Sequence, residues 1–91
     1  MTKAEIVEIV AEKTGFTAKD IKVVVEQCIT EIKNCLAENE HLEIRGFGTF
    51  KVRERKARKA RNPRSGAEVL VPAKLVPVFK SSNELKAMVR G

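Results

Sequence analysis

Between Lys51 and Ser65 the chain reads KVRERKARKARNPRS, with eight Lys or Arg against one acid, Glu54, a net of +7. Its one large apolar side chain is Val52. A segment of this composition cannot bury itself in a core. It must lie on something negative, and a repeating polyanion is the natural candidate. The plain alternative is a solvated, disordered tail. Against it, the residues that follow have strand and helix patterns of their own, so the run sits inside a fold.

If that run and its surroundings project away, about seventy residues remain for a core, and a domain of that size is often helped by disulfides, metal or oligomerisation. Cys28 and Cys35 stand seven residues apart in an apparent helix. That is about 10 Å along its axis, too far for a bridge, so both are expected as reduced, mostly buried thiols. One His and two Cys do not furnish an ordinary zinc site; no metal or other cofactor is expected, and oligomerisation is the remaining aid. Charge is divided along the chain. Residues 1–44 hold five Lys and nine acids, a net of −4, whereas residues 45–91 hold thirteen Lys or Arg and three acids, a net of +10. No apolar run approaches the ~18 residues of a membrane span, and no signal-peptide core is visible. The expected location is the cytoplasm.

Thr2 to Glu5 is a capping-box pattern opening a helix that Gly15 should stop. Thr17 to Asp20 restarts a longer helix with the apolar stripe Ile21, Val24, Val25, Cys28, Ile29, Ile32, Cys35 and Leu36. That stripe is wide enough to face the first helix on one side and a partner chain on the other. Lys3 and Glu26 are candidates to pair between these helices. His41, at the helix-to-strand junction, is expected at the surface. After Asn39 the period falls to two: Leu42 and Ile44 alternate with Glu43 and Arg45, then Phe50 and Val52 with Lys51 and Arg53. Gly46-Phe47-Gly48 is the expected turn of this hairpin. Residues 54–74 read as a two-stranded ribbon with Asn62-Pro63-Arg64-Ser65-Gly66 at its tip. A lone ribbon is marginal in water, so its tip is expected to be mobile until bound. Pro72 and Pro77 confine the return strand to an edge or to irregular pairing. Ser81 to Glu84 suggests a second capping box, opening a short helix that buries Leu85, Met88 and Val89. The fold class is α+β.

The block Gly46-Phe47-Gly48-Thr49-Phe50 followed by Arg61-Asn62-Pro63, inside this order of elements and with VPVFKSS near the end, resembles the HU/IHF family of bacterial histone-like DNA-binding proteins over essentially all 91 residues. The resemblance implies one domain forming an intertwined dimer. Residues 1–39 would be a helical dimerisation base, 40–53 and 75–79 a three-stranded antiparallel saddle sheet, 54–74 the DNA-binding arm and 81–90 a C-terminal helix. It implies non-enzymatic binding of duplex DNA through the minor groove with low sequence preference, bending of the duplex, chromosome compaction and a nucleoid location. Pro63 would be the wedge between base pairs. The other expected DNA-binding residues are Lys3, Arg45, Gly46, Gly48, Arg53, Arg55, Lys56, Arg58, Lys59, Arg61, Asn62, Arg64, Ser65, Lys74, Lys80, Ser81 and Lys86. Phe47, Phe50, Phe79, Ile29, Ile32 and Leu36 would form the dimer core. Helix N-termini capped by Thr2 and Ser81 would hold further phosphates. The chain departs from the family's common pattern at Ala60, usually Gly, at Ser65, usually Thr, and at Asn83, often Lys.

The expected partners are double-stranded DNA, tightest when bent, nicked or gapped, and a second copy of the chain; no membrane and no small-molecule substrate are expected. A site-specific heterodimer subunit of the IHF type is the nearest alternative. A basic RNA-binding protein is further off, since the A-form helix gives a saddle with proline wedges less to grip. An enzyme is least favoured: there is no Gly-rich phosphate loop and no acid/base set at recognisable spacing.

Overall fold

The computed structural model describes residues 1–90. The elements run α1 (Lys3–Thr14), α2 (Ala18–Ala37), β1 (Leu42–Ile44), β2 (Gly48–Arg55), β3 (Arg58–Arg61), β4 (Glu68–Val71), β5 (Lys74–Ser81) and α3 (Asn83–Arg90). The chain falls into two compact units, Met1–Cys35 and the remainder from Leu36.

In the first unit the helix ends are set by local chemistry. The Thr2 hydroxyl caps α1, accepting from the Glu5 N–H at 3.3 Å and donating to the Glu5 carboxylate at 3.5 Å. Gly15 terminates α1 with φ +82°, a left-handed conformation that costs a glycine little, and its N–H donates to the Ala11 carbonyl. The Thr17 hydroxyl accepts from Asp20 N–H and caps α2. Val7 and Ile21 are the only large hydrophobic residues that are buried among the described residues. Lys3 Nζ lies 3.4 Å from Glu26 Oε1, joining the helices with an exposed ion pair.

Much of the apolar stripe stays uncovered. Val24 is 58% and Ile29 37% exposed, and Cys28, expected to be buried, is exposed. The twelve residues of α1 cannot cover a stripe that runs the twenty-residue length of α2. No helix among the described residues is long and apolar enough to cross a membrane.

The second unit holds an antiparallel three-stranded sheet, β1-β2-β5, and a separate two-stranded ladder, β3-β4. The hairpin turn occupies Arg45–Phe47, one residue earlier than expected, and Gly48 already pairs with Ile44. Gly46 has φ +82° at the third turn position, where the Phe47 N–H closes onto the Ile44 carbonyl. The β2-β5 ladder runs from Gly48↔Ser81 to Arg55↔Lys74. It is longer at both ends than the alternation indicates. The expected continuous ribbon is broken at 56–57 and 72–73, where Pro72 offers no ladder donor. Pro77 sits within β5, but β5 is an edge strand, where a missing N–H is tolerated.

Ladder pairing through Ser81 also moves the start of α3. Ser82, not Ser81, is its cap: the Ser82 hydroxyl accepts from Leu85 N–H and donates to the Gly46 carbonyl. Met88 and Val89, expected on a buried face, are 79% and 80% exposed, because no described part of the chain covers that side of α3. Leu85 is half-buried.

Candidate nucleic-acid interface

Directly paired residues of a ladder share a face, and so do residues two apart in one strand. The register therefore sorts β2 and β5 into two unlike surfaces. One carries Phe50 opposite Phe79, Val52 opposite Pro77 and Glu54 opposite Leu75, with Leu42 of β1 beside Phe50. The other carries Lys51, Arg53 and Arg55 of β2 with Lys74 and Lys80 of β5, interleaved with Thr49, Val76 and Val78.

On the apolar face the Phe47, Phe50 and Phe79 rings meet with centroids 4.8 to 6.2 Å apart in tilted pairs. Phe47 and Phe79 remain 43% and 40% exposed, so the cluster is open on one side. Gly48 is buried beneath it. A Cβ there would meet the Lys80 carbonyl oxygen at 2.5 Å and the Phe79 ring at 2.6 Å. This glycine, expected at a DNA contact, is held by close packing inside the sheet.

The register places Arg53, Arg55, Lys74 and Lys80, four of the candidate DNA-binding residues, on one face with Lys51, which was not among the candidates. The signal for Lys51 was present in its alternation with Arg53. At the end of the sheet, where both strands break, Arg55, Lys56, Arg58, Val71, Pro72 and Lys74 line a cleft of about 340 Å³. Four cations thus crowd the root of the arm. All eight Lys and Arg of the 51–65 run are exposed, and none forms an ion pair among the described residues. Their charge is left for an outside anion.

Beyond the break, β3 and β4 pair Arg58↔Val71, Lys59↔Leu70, Ala60↔Val69 and Arg61↔Glu68. Lys59 and Arg61 share one face with Leu70 and Glu68. Leu70 is 69% exposed, an apolar group between cations that no core claims. The tip is closed by its own hydrogen bonds. Asn62 N–H donates to the Ala67 carbonyl and the Asn62 carbonyl accepts from Gly66 N–H, both at 2.8 Å. Asn62 Oδ1 accepts from the N–H groups of Arg64, at 2.8 Å, and Ser65, at 3.4 Å. The Ser65 hydroxyl accepts from Ala67 N–H, and Gly66 takes φ +73° to turn the chain back. Pro63 stands exposed at the apex.

Apart from Ser81 of β5, the remaining candidates belong to other elements. Arg45 and Gly46 occupy the β1–β2 turn, which is tied to the start of α3 by Ser82 N–H donating to the Phe47 carbonyl. Arg45, Lys80 and Ser82 line one cleft there, together with Glu43 and Glu84. Ser81 is a half-buried ladder residue rather than a cap. Lys86 is exposed on α3. Lys3 lies in the first unit, already paired with Glu26. No group of three His, Cys, Asp or Glu capable of holding a metal stands together among the described residues.

Residues 1–90 match the family described as bacterial DNA-binding protein. The β subunit of integration host factor from Marinobacter nauticus is 44% identical over 90 residues, covering 98% of this chain and 92% of its own. DNA-binding protein HU from Staphylococcus aureus is 42% identical over 90 residues, covering 99% of this chain and all of its own. Among solved structures, Anabaena HU co-crystallised with DNA superposes with a TM-score of 0.92 at 35% identity, over 98% of this chain and 97% of that one. HU from Thermotoga maritima gives 0.71 at 30% identity, over 98% of each chain. The chain belongs to the bacterial DNA-binding protein family that includes HU and integration host factor.

Proposed function

We propose that this chain is a non-enzymatic architectural protein that binds duplex DNA with little sequence preference, bends it, and works as a homodimer on the bacterial chromosome in the cytoplasm. The observation that carries this reading is a continuous supply of unpaired cations, from the basic face of β2 and β5 through the root cleft to a tip whose outermost group is the apolar ring of Pro63. The phosphate backbone is read by the cations. The ring enters between base pairs, where unstacking costs a few kcal/mol, and Arg61 and Arg64 offset that cost in the electronegative minor groove. Arg45, Lys86 and Lys3 serve as outlying phosphate contacts. Dimer formation is supported within each unit separately: in the first, Val7 and Ile21 are the only buried large hydrophobics while Val24 and Ile29 of α2 are exposed and Ile32 is half-buried, and in the second the Phe47–Phe50–Phe79 cluster is open and Leu36 is half-buried.

The test compares intact, nicked and gapped duplexes of one sequence, with bend angle read by energy transfer between end labels. Tighter binding to the nicked and gapped forms is expected, since distortion costs them less. Equal affinity for all three would overturn the reading. Pro63→Ala should lower the bend angle far more than the affinity; an unchanged angle would remove the wedge role.

The 44% identity to a β subunit of integration host factor favours a second reading, a site-specific subunit of a heterodimer. It requires that one duplex win by several kcal/mol and that the purified chain alone fail to form a stable dimer in sedimentation.

A further inference from the structure

Resting on the bending function proposed above, we infer that Asn62 is the positioning residue of the wedge: its side chain closes the arm tip and removes bare backbone donors from the surface that enters the DNA. Pro63 has no N–H, so the turn that follows it must be held from elsewhere. Asn62 supplies that hold three times over. Its N–H and carbonyl clamp the base of the loop to Ala67 and Gly66, and its Oδ1 collects the N–H groups of Arg64 and Ser65. This is an Asx turn built directly around the proline.

The chemistry explains why the arrangement suits a wedge. A tip pushed between base pairs leaves water, and an N–H carried into that apolar stack without a partner forfeits its hydration with nothing in return. At the apex, position 63 has no donor and the next two donors are satisfied by Asn62 itself. What remains to face the bases is an apolar ring. With Oδ1 committed inward, the side chain shapes the tip first, and any direct contact to DNA falls to its amide nitrogen. Gly66 at φ +73° completes the loop by letting the chain fold back toward β4.

The test compares the unsubstituted protein with Asn62→Ala and Asn62→Ser in three measurements: amide hydrogen exchange at Arg64 and Ser65 in the free protein, bend angle of a labelled duplex, and affinity for it. Ala removes the acceptor; Ser keeps an oxygen able to make the same kind of turn but has no amide nitrogen. In Asn62→Ala, exchange at both amides should rise about ten-fold, the order of one lost hydrogen bond. The bend angle should fall, affinity should drop less, and the thermal midpoint should hold. Asn62→Ser should restore slow exchange and bending together. Unchanged exchange and bending in Asn62→Ala would overturn the inference. So would Asn62→Ser restoring slow exchange but not bending, because the amide nitrogen would then act on DNA directly. If the unsubstituted protein did not bend DNA, the function itself would fall and the role of Asn62 in it too, while the exchange data would still report on tip closure.

Discussion

The β2-β5 ladder and the β3-β4 ladder are antiparallel pairs of the same sign of charge, yet they are held by different physics. The first has a back: three Phe rings, Val52 and Pro77 occupy the face opposite the cations. The second has none. Its residues between 58 and 71 include only two that are half-buried, Ala60 and Val71, and its order comes from ladder bonds and the Asn62 turn. Charge at the root is therefore placed by packing, and charge at the tip by local hydrogen bonding. The lesson is that an apolar face can fix where a cation points, whereas the tip proposed as the wedge has no such face behind it and relies on local hydrogen bonds.

The largest expected effect tests that contrast on two exposed apolar residues. Phe79→Ala should lower unfolding free energy by about 3 kcal/mol, the lower range for truncating a packed aromatic. Leu70→Ala, on the tip ladder, should stay within about 0.5 kcal/mol. Urea unfolding at one fixed protein concentration measures both; comparable losses would mean the tip has a core after all.

Next in size is the salt response. A dimer that neutralises about eight phosphates should show a log–log slope near −7. Lys51→Gln, on the face shared with Arg53 and Arg55, should reduce the magnitude of the dimer's slope by about 2, roughly 1 for each of its two copies of Lys51. A slope unmoved by this change would take Lys51 out of the interface.

The smallest effect concerns Glu68, directly across from Arg61 beside the tip. Opposite charges so placed attract weakly, so in the proposed complex Glu68 would compete with a phosphate for Arg61. Glu68→Gln should tighten DNA binding a few-fold at low salt, with the gain fading as salt rises. Weaker binding in a low-salt titration would show that Glu68 instead holds Arg61 in its DNA-binding pose.

The order of helices and strands, the caps at Thr2 and Thr17, the stop at Gly15 and the tip around Pro63 were all legible in the chain, because each depends on residues a few positions apart. The limits of β5, the break at 56–57 and the transfer of the α3 cap from Ser81 to Ser82 were not. They follow from how far β2 and β5 stay in register, which local pattern does not encode. Gly48 shows the same division. Its sequence neighbours suggest a turn, and only the approach of Phe79 and the Lys80 carbonyl explains why no side chain fits there.

By itself, then, the sequence determined the amount and position of positive charge and the rigid uncharged group at the end of it, since composition and a proline ring are properties of the chain alone. The tertiary structure decided which cations stand side by side. Lys51, Arg53, Arg55, Lys74 and Lys80 come from strands separated by the whole arm, and it is the antiparallel register between β2 and β5 that lays them on one face.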